Sequence, residues 1–365
     1  MMKRFLCLVL LACLILCGCQ NAQPPITETK VSINKETEPT TEPTTEPTTE
    51  PTEPPVLYRN PLNGTPLDAP LTGKATAVVI NNIKDCLPQY GISQADFYFE
   101  VETEGYITRC LAVYSDVSKV DVIGPVRSAR TYFNSLSRAY SAPLVHCGGS
   151  AVALKGHYAD GQKLSGWEHV NEQYNGKYFF RDNDRYNYQN YAWEHTLFTK
   201  GESLAKAMAD MEYTSEEVMD FGYSFDEEVT LTGEAAKKIV ITFPGNKTTT
   251  MEYFEVSGQY GMSQYGKETV DAGLDLQMQF KNVIVLYASH WKKDDGTYYR
   301  SYYELQGEGN GYLAIDGVMT EIKWSRETVD DPFTFTYTDG TPVTLGVGKT
   351  YVGISSNKAT PVTYE

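Results

Sequence analysis

The sequence predicts an α+β domain followed by a mainly antiparallel β domain. Helical and strand-like periodicities alternate from residue 56 to about Tyr223, which is typical of a mixed sheet with helices. Short β-branched and aromatic runs separated by Gly, Asp and Asn turns follow, a pattern typical of antiparallel strands. Together the two parts hold about 310 residues, more than one domain usually contains. We therefore expect domains at 56–223 and 224–365.

The first domain is predicted to combine strands and helices. Each predicted strand is a short apolar run, and each predicted helix has apolar residues at intervals of three and four. The predicted strands are 75–80, 97–101, 110–114 and 144–146, and the predicted helices are 128–140 and 202–211.

The second domain is predicted to contain strands alone. Its apolar runs are too short for helices and are rich in Val, Ile, Thr, Tyr and Phe. The predicted strands are 239–243, 251–256, 283–287, 298–305, 312–315, 320–324, 333–337 and 351–354.

Residues 1–18 are predicted to be a signal peptide. Lys3 and Arg4 precede an apolar stretch, 5–16, that is too short to cross a bilayer of about 30 Å as a helix. Gly18 directly precedes Cys19, as in the bacterial lipobox, although Cys17 replaces the usual small residue before it. We expect lipid on Cys19, which would anchor the protein to the outer face of the bacterial cytoplasmic membrane. The alternative is an unmodified secreted or buried cysteine.

Residues 19–55 are predicted to form a disordered stalk. A Thr-Glu-Pro-Thr unit recurs in step from Thr37 to Thr52, and large apolar side chains are almost absent. Regular prolines and like-charged glutamates favour an extended chain, with a reach on the order of 100 Å at most. The stalk either holds the folded part away from the membrane or is a solubilising spacer of no required length.

The charge and the cysteines exclude several classes of protein. The formal net charge is −16, of which −13 lies on residues 56–365, and this opposes binding to nucleic acid. Cys86, Cys110 and Cys147 are too few, and odd in number, for a disulfide framework. A nucleophilic Cys147 beside His146 is the alternative to a buried strand cysteine, but neighbours on a strand point to opposite faces.

Three arginines are the leading candidates for a binding site. Arg127 and Arg130 stand at the start of the predicted helix 128–140, where Ser128 is a natural N-cap. A helix N-terminus and guanidinium groups favour a carboxylate or phosphate, and Arg109 is a possible third member. The alternative is an internal brace in which these arginines pair with Glu100, Glu102, Glu104 or Asp182.

The turn Gly148-Gly149-Ser150 is a second candidate. It follows a predicted strand and opens a helix-like stretch, 151–155, so its backbone could approach a ligand. It lacks the sequence of a phosphate loop or a nucleophile elbow, and an ordinary turn is the favoured interpretation.

His195 and the segment around it complete the candidate residues. His195 follows Glu194 and is a possible acid–base group, with a structural loop histidine as the favoured alternative. Tyrosines interleave with Asn, Asp and Arg over 174–191, which suits stacking on sugars or peptides but also an ordinary surface loop. The five histidines lack the spacing of a metal site, so we expect no metal and no cofactor; the alternative is a metal site assembled from distant histidines.

Several segments form a specific set of motifs over almost all of residues 70–356. They are 104–109, 124–130, 145–150, 180–182 and 194–199 in the first half, and 281–285, 307–309 and 323–326 in the second. Together these segments resemble the YerB-like bacterial lipoproteins. The resemblance implies an N-terminal and a C-terminal module, but this family is described as a domain of unknown function and supplies no activity.

These observations favour a membrane-anchored extracytoplasmic lipoprotein that acts as a binding or scaffold module in the cell envelope. Its partner would be an anionic cell-wall component or an envelope protein, and we assign no catalytic residue. The alternative is a cell-wall-active hydrolase that uses His195, or a carboxylate such as Glu104 or Glu194. The sequence shows no nucleophile, base and orienting group together that would favour this alternative.

Overall fold

The computed structural model describes residues 57–159, 161–296, 298–356 and 362–365. The predicted signal peptide, the lipid attachment at Cys19 and the stalk lie outside these residues. Within the described ranges, no helix is both long enough and apolar enough to cross a membrane.

The first half contains helices and short strands, as the sequence predicts. Its strands are β1 (Tyr58–Arg59), β2 (Pro66–Leu67), β3 (Thr76–Asn82), β4 (Phe97–Glu102), β5 (Thr108–Tyr114), β6 (Leu144–His146), β7 (His157–Ala159), β8 (Gln162–Lys163), β9 (His169–Asn171), β10 (Phe179–Arg181) and β11 (Leu197–Thr199). Its α-helices are α1 (Thr131–Ala139), α2 (Glu172–Asn175), α3 (Asn183–Asn187) and α4 (Gly201–Asp210).

The described residues of the second half form strands and one short 3₁₀ turn, and every predicted strand overlaps an observed one. The strands are β12 (Ser224–Asp226), β13 (Glu234–Ala235), β14 (Lys238–Phe243), β15 (Lys247–Phe254), β16 (Gln259–Gln264), β17 (Lys267–Glu268), β18 (Val270–Asp271), β19 (Leu276–Gln277), β20 (Gln279–Phe280), β21 (Asn282–Asp294), β22 (Tyr299–Glu304), β23 (Gly307–Ile315), β24 (Val318–Arg326), β25 (Thr334–Tyr337), β26 (Thr344–Gly346), β27 (Thr350–Ser356) and β28 (Val362–Tyr364).

One large sheet passes through both halves of the chain. Its order is β13-β24-β23-β21-β27-β4-β5-β3-β6-β9, with β22 paired to β21 and β25 paired to β24. Strand β27 lies between the halves and is parallel to both of its neighbours, β21 and β4. The expectation that 224–365 folds as a separate module is therefore wrong, because its strands complete the sheet of the first half. The predicted α+β fold class is confirmed.

The core has two layers, one on each face of this sheet. Along β4 the side chains alternate: Phe97 and Phe99 belong to one apolar cluster and Tyr98 to the other, as the period of two requires. Helix α1 packs against the first cluster. The second cluster is shared with a smaller antiparallel sheet, ordered β17-β16-β15-β14-β28, with β20 paired to β16.

A buried ion pair joins the two sheets. Glu100 on β4 is fully buried and pairs with Lys247 on β15. Its second oxygen accepts hydrogen bonds from Thr249 Oγ1 at 2.7 Å and from Tyr351 OH at 2.8 Å. Glu100 is thereby fully engaged between the sheets, so it is not the partner of the candidate arginines.

The segment before α1 differs from the prediction. Residues 126–130 are extended: Val126 bridges to Ile80 of β3, and the Arg127 amide donates to the Val79 carbonyl at 2.8 Å. The helix therefore begins at Thr131 with Arg130 at the N-cap, and the prediction that Ser128 caps it is wrong. Pairing with the sheet outweighs the local capping preference of Ser128.

Candidate functional site

The candidate residues gather at one edge of the large sheet. Strands β3, β6 and β9 are parallel, so their carboxyl ends lie at the same edge. Strand β5 is antiparallel to β3 and begins there, which sets Arg109 directly opposite Asn81. Ligands often bind outside the carboxyl ends of parallel strands. The topology thus brings together residues that are far apart in the sequence.

Arg130 is a brace. Its Nε lies 2.9 Å from both Glu104 oxygens, its Nη2 lies 2.6 Å from one of them, and its Nη1 donates to the Ala129 carbonyl. Burial alone would raise the pKa of Glu104, but the hydrogen bonds and charge of Arg130 outweigh burial and hold that pKa at about 2. Arg130 therefore has its donors committed within the protein.

Arg109 is buried but only partly paired. Its Nη1 donates to the Ser128 carbonyl at 3.0 Å, while its buried Nε has no acceptor among the described residues. Burial, and then the charges of Arg130 and Arg127, lower the pKa of Arg109 to about 9, so the group is still a cation at neutral pH. The three guanidinium groups are thus close enough to repel one another.

Arg127 is the candidate arginine that opens to solvent. Its side chain is 22% exposed, and its Nη2 lies 2.9 Å from Oε1 of Glu194, which is 52% exposed. An ion pair of this kind near the surface is weak, because water competes for both partners. An external anion can therefore compete with Glu194 for Arg127.

His195 is held beside this pair in its neutral form. Its Nδ1 lies 2.9 Å from Nδ2 of Asn81, whose buried Oδ1 has no hydrogen-bond partner among the described residues. That Nε2 lies 3.8 Å from Glu194 Oε1. Burial lowers the pKa of His195. The hydrogen bond to Asn81 fits the structural interpretation of this histidine, although its Nε2 faces the edge of the site.

The Gly148-Gly149-Ser150 turn forms contacts within the protein. The Gly148 amide donates to Asn171 Oδ1 at 2.9 Å, and Gly149 bridges to Ala129. Ser150 Oγ accepts from the Ala153 amide at 3.3 Å, where a short 3₁₀ helix (Ala153–Lys155) replaces the expected helical stretch 151–155. Gly148 has a φ of +61°, a conformation that L side chains rarely adopt. These contacts fit the ordinary-turn interpretation.

The structure gives Cys147 a polar partner and adds Glu172 and Asn171, which the sequence analysis did not select. Cys147 Sγ donates to Glu172 at 3.3 Å, and Glu172 lies 3.7 Å from Arg181. Burial raises the pKa of Cys147 to about 11, which makes it a poor nucleophile. Asn171 is fully buried, and its Nδ2 has no acceptor among the described residues. The only sequence signal for this group is the polar, tyrosine-rich character of the segment that follows β9.

Arg185 is a further buried cation near His195. Its Nη2 donates to the carbonyls of Cys86 and Pro88, and its guanidinium lies 4.1 Å from the centre of the Tyr191 ring. Its Nη1 is buried without an acceptor among the described residues. Like Arg109, it is a cation that no carboxylate contacts in the described part of the chain.

The geometry of the described residues does not favour a metal site or a hydrolase active site. Among the described residues, no three His, Cys, Asp or Glu side chains are grouped to hold a metal ion. The polar partners of His195 in the same ranges are Asn81 and Glu194, and neither is a hydroxyl or thiol nucleophile. Glu104, with its pKa held at about 2, does not retain a proton that a general acid could donate at neutral pH.

Comparison with known proteins identifies the family. The models for the N-terminal and C-terminal domains of the family described as "Protein of unknown function (DUF3048)" match residues 62–214 and 239–352. A relative from Bacillus subtilis (strain 168), named "Putative lipoprotein YerB", is 30% identical over an alignment of 275 residues, and the match covers 71% of this chain and 78% of the relative.

The fold agrees with a solved structure. The crystal structure of the YerB protein from Bacillus subtilis has a TM-score of 0.68 and 27% sequence identity with this chain, and the match covers 81% of this chain and 96% of that one. The resemblance to YerB-like proteins is thereby confirmed. The chain belongs to the DUF3048 family of proteins of unknown function, and it carries both of that family's domains.

Proposed function

We propose that this protein is a membrane-anchored lipoprotein that binds an anionic ligand outside the cytoplasm, at the edge of the sheet that carries Arg109 and Arg127. The relative's name supports the first part, together with the signal-like residues 1–18 and the cysteine at position 19. A lipid on Cys19 would hold the folded part at the outer face of the cytoplasmic membrane.

The incomplete pairing of Arg109 supports the proposed anion site. Arg109 is a buried cation with an unpaired Nε, and no carboxylate contacts it among the described residues. Leaving a buried donor unpaired is costly, and leaving a buried charge uncompensated is more so. A bound anion near Arg127 would add negative charge to that which Glu104 already supplies to Arg109.

The expected affinity for a small anion is modest. Each charge-assisted hydrogen bond contributes roughly 1.5–3 kcal/mol. The loss of freedom on association opposes this, so inorganic phosphate should bind with a Kd on the order of 1 mM.

The site is tested by titration calorimetry with inorganic phosphate. Arg127→Gln should weaken binding at least tenfold and lower the free energy of unfolding by less than about 1 kcal/mol, since its ion pair is partly exposed. Arg138→Gln is the matched control, because Arg138 forms a comparably exposed pair with Asp330. Equal phosphate affinity in the wild type and in Arg127→Gln would refute the site.

The lipid anchor is tested separately. Cys19→Ser should release the protein from the membrane fraction or leave the signal uncleaved, because the acyl chains would have no attachment point. Mature, lipid-labelled, membrane-bound protein from this variant would contradict the proposal.

The hydrolase alternative would use His195 with Glu194 as its acidic partner. It is the weaker proposal. His195 Nε2 and Glu194 Oε1 are 3.8 Å apart, and His195 contacts no hydroxyl or thiol nucleophile among the described residues.

A further inference from the structure

Exposed aromatic side chains are concentrated beside the arginine site. Tyr174, Tyr186, Tyr188 and Trp193 are 79%, 48%, 82% and 51% exposed, and all lie in the segment that connects β9 to β11. A contiguous exposed apolar patch marks a surface that contacts another molecule, and the Tyr186 and Trp193 rings are in contact with each other.

Trp193 is held in place by its neighbours. The Arg181 guanidinium lies 4.8 Å from the centre of the indole ring, and its Nη1 donates to the Trp193 carbonyl at 2.9 Å. The Tyr186 ring meets the indole edge-on at 5.3 Å. Because these contacts fix the indole while half of it stays exposed, the ring is a preorganised stacking surface.

This aromatic surface lies next to the arginine site. We call the two together the rim, which comprises Arg127, Glu172, Arg181, Trp193 and Glu194. Trp193 directly precedes Glu194, the partner of Arg127. On the other side, Arg181 lies 3.7 Å from Glu172, whose second oxygen accepts from Cys147. The Cys147 amide in turn donates to the Arg127 carbonyl at 3.1 Å, so a series of contacts leads from Arg181 back to Arg127.

The chemistry of the rim fits a charged sugar. The negative face of an indole attracts the weakly positive C–H bonds on one face of a pyranose ring. The amides of Asn187, Gln189 and Asn190 are exposed in the same segment and can hydrogen-bond to sugar hydroxyls.

We propose that this rim binds an acidic glycan, with a sugar ring stacked on Trp193 and its carboxylate or phosphate group bound by Arg127 in place of Glu194. The inference rests on the proposed anion site and names its ligand class. An acidic peptide has the charge but lacks the pyranose face, so it is the competing ligand for the test.

The experiment compares probes by titration calorimetry. The probes are inorganic phosphate, glucose 6-phosphate, an oligogalacturonate, its methyl ester and an oligoglutamate. The wild type should bind glucose 6-phosphate or the oligogalacturonate at least tenfold more tightly than inorganic phosphate, and the neutral methyl ester far more weakly. Comparing glucose 6-phosphate with the oligogalacturonate shows whether the site prefers a phosphate or a carboxylate as the charged group.

Variants test whether the tighter binding of the sugar probes depends on the Trp193 indole. Trp193→Ala should abolish the preference for glycan while leaving phosphate binding unchanged, and Trp193→Phe should restore part of it. Tyr299→Ala removes an aromatic ring that is 68% exposed elsewhere and is the matched control, with no expected effect. Arg127→Gln should weaken all charged probes.

Three outcomes overturn the inference. If oligoglutamate binds as tightly as the glycans, or if Trp193→Ala leaves the glycan preference intact, the glycan assignment is wrong while the anion site stands. If no probe binds, inorganic phosphate included, both the glycan assignment and the anion site are wrong.

Discussion

Replacing Arg130 by Met tests whether this arginine is a brace. Arg130, with smaller contributions from Thr103 and Arg109, holds the pKa of Glu104 at about 2 instead of its ordinary value of 4.5. That difference corresponds to about 3 kcal/mol of preference for the charged carboxylate in the folded protein. Because Glu104 is 19% exposed, screening by water is limited and most of this energy should appear as stability. Arg130→Met should therefore lower the free energy of unfolding by about 3 kcal/mol at pH 7.

The contribution of the Arg130–Glu104 pair to the free energy of unfolding should depend on pH. A carboxyl whose folded pKa is lowered stabilises the protein above its ordinary pKa, and this contribution is lost as the pH falls from 4.5 toward 2. The difference between wild type and Arg130→Met should thus shrink to about half at pH 3.

Urea unfolding followed by circular dichroism measures both effects. Arg138→Met is the control, since its pair with Asp330 is exposed and should contribute less than about 1 kcal/mol. A loss below about 1 kcal/mol for Arg130→Met at pH 7, or a loss that does not shrink at pH 3, would refute the reasoning.

Two further predictions concern buried groups near the site. Burial lowers the pKa of His146 from 6.5 to about 3, so its contribution to stability is complete above pH 6.5 and is lost as the pH falls. Unfolding should become about 2 kcal/mol easier between pH 7 and pH 5, and less so in His146→Gln; equal wild-type stability at both pH values would contradict this. Because burial raises the pKa of Cys147 to about 11, iodoacetamide should label it far more slowly at neutral pH than it labels an exposed cysteine, as mass spectrometry can measure. Complete labelling within minutes would instead indicate an activated thiol.

Local patterns predicted the elements, because they depend on residues close together in the chain. The alternation along 97–101 and the apolar spacing of 131–139 are visible without any tertiary information. Ser128 shows the limit of such reasoning: its capping preference is real, but the backbone of Arg127 pairs with β3 and delays the helix. The parallel pairing of Thr350 with Phe97 leaves no trace in either local segment.

The site was predictable in part. The sequence predicted that Arg109, Arg127 and Arg130 converge on one cleft, and in the structure the charges of Arg127 and Arg130 act on Arg109. It also left Glu100, Glu102, Glu104 and Asp182 as equal candidates for a brace. Side-chain direction selects among them, since Glu104 meets Arg130 while Glu100 points toward the smaller sheet. Arg181 and Arg185 were not selected because their roles depend on Trp193 and on distant carbonyls.

The position of β27 has a consequence for how the protein is made. The chain is synthesised from its N-terminus, so β4 is complete long before residues 350–356 leave the ribosome. Until then one edge of β4 carries unpaired amide and carbonyl groups, the kind of edge along which other chains add strands. A chain that ends before residue 350 would therefore keep an unpaired edge on β4, to which strands of other chains could add.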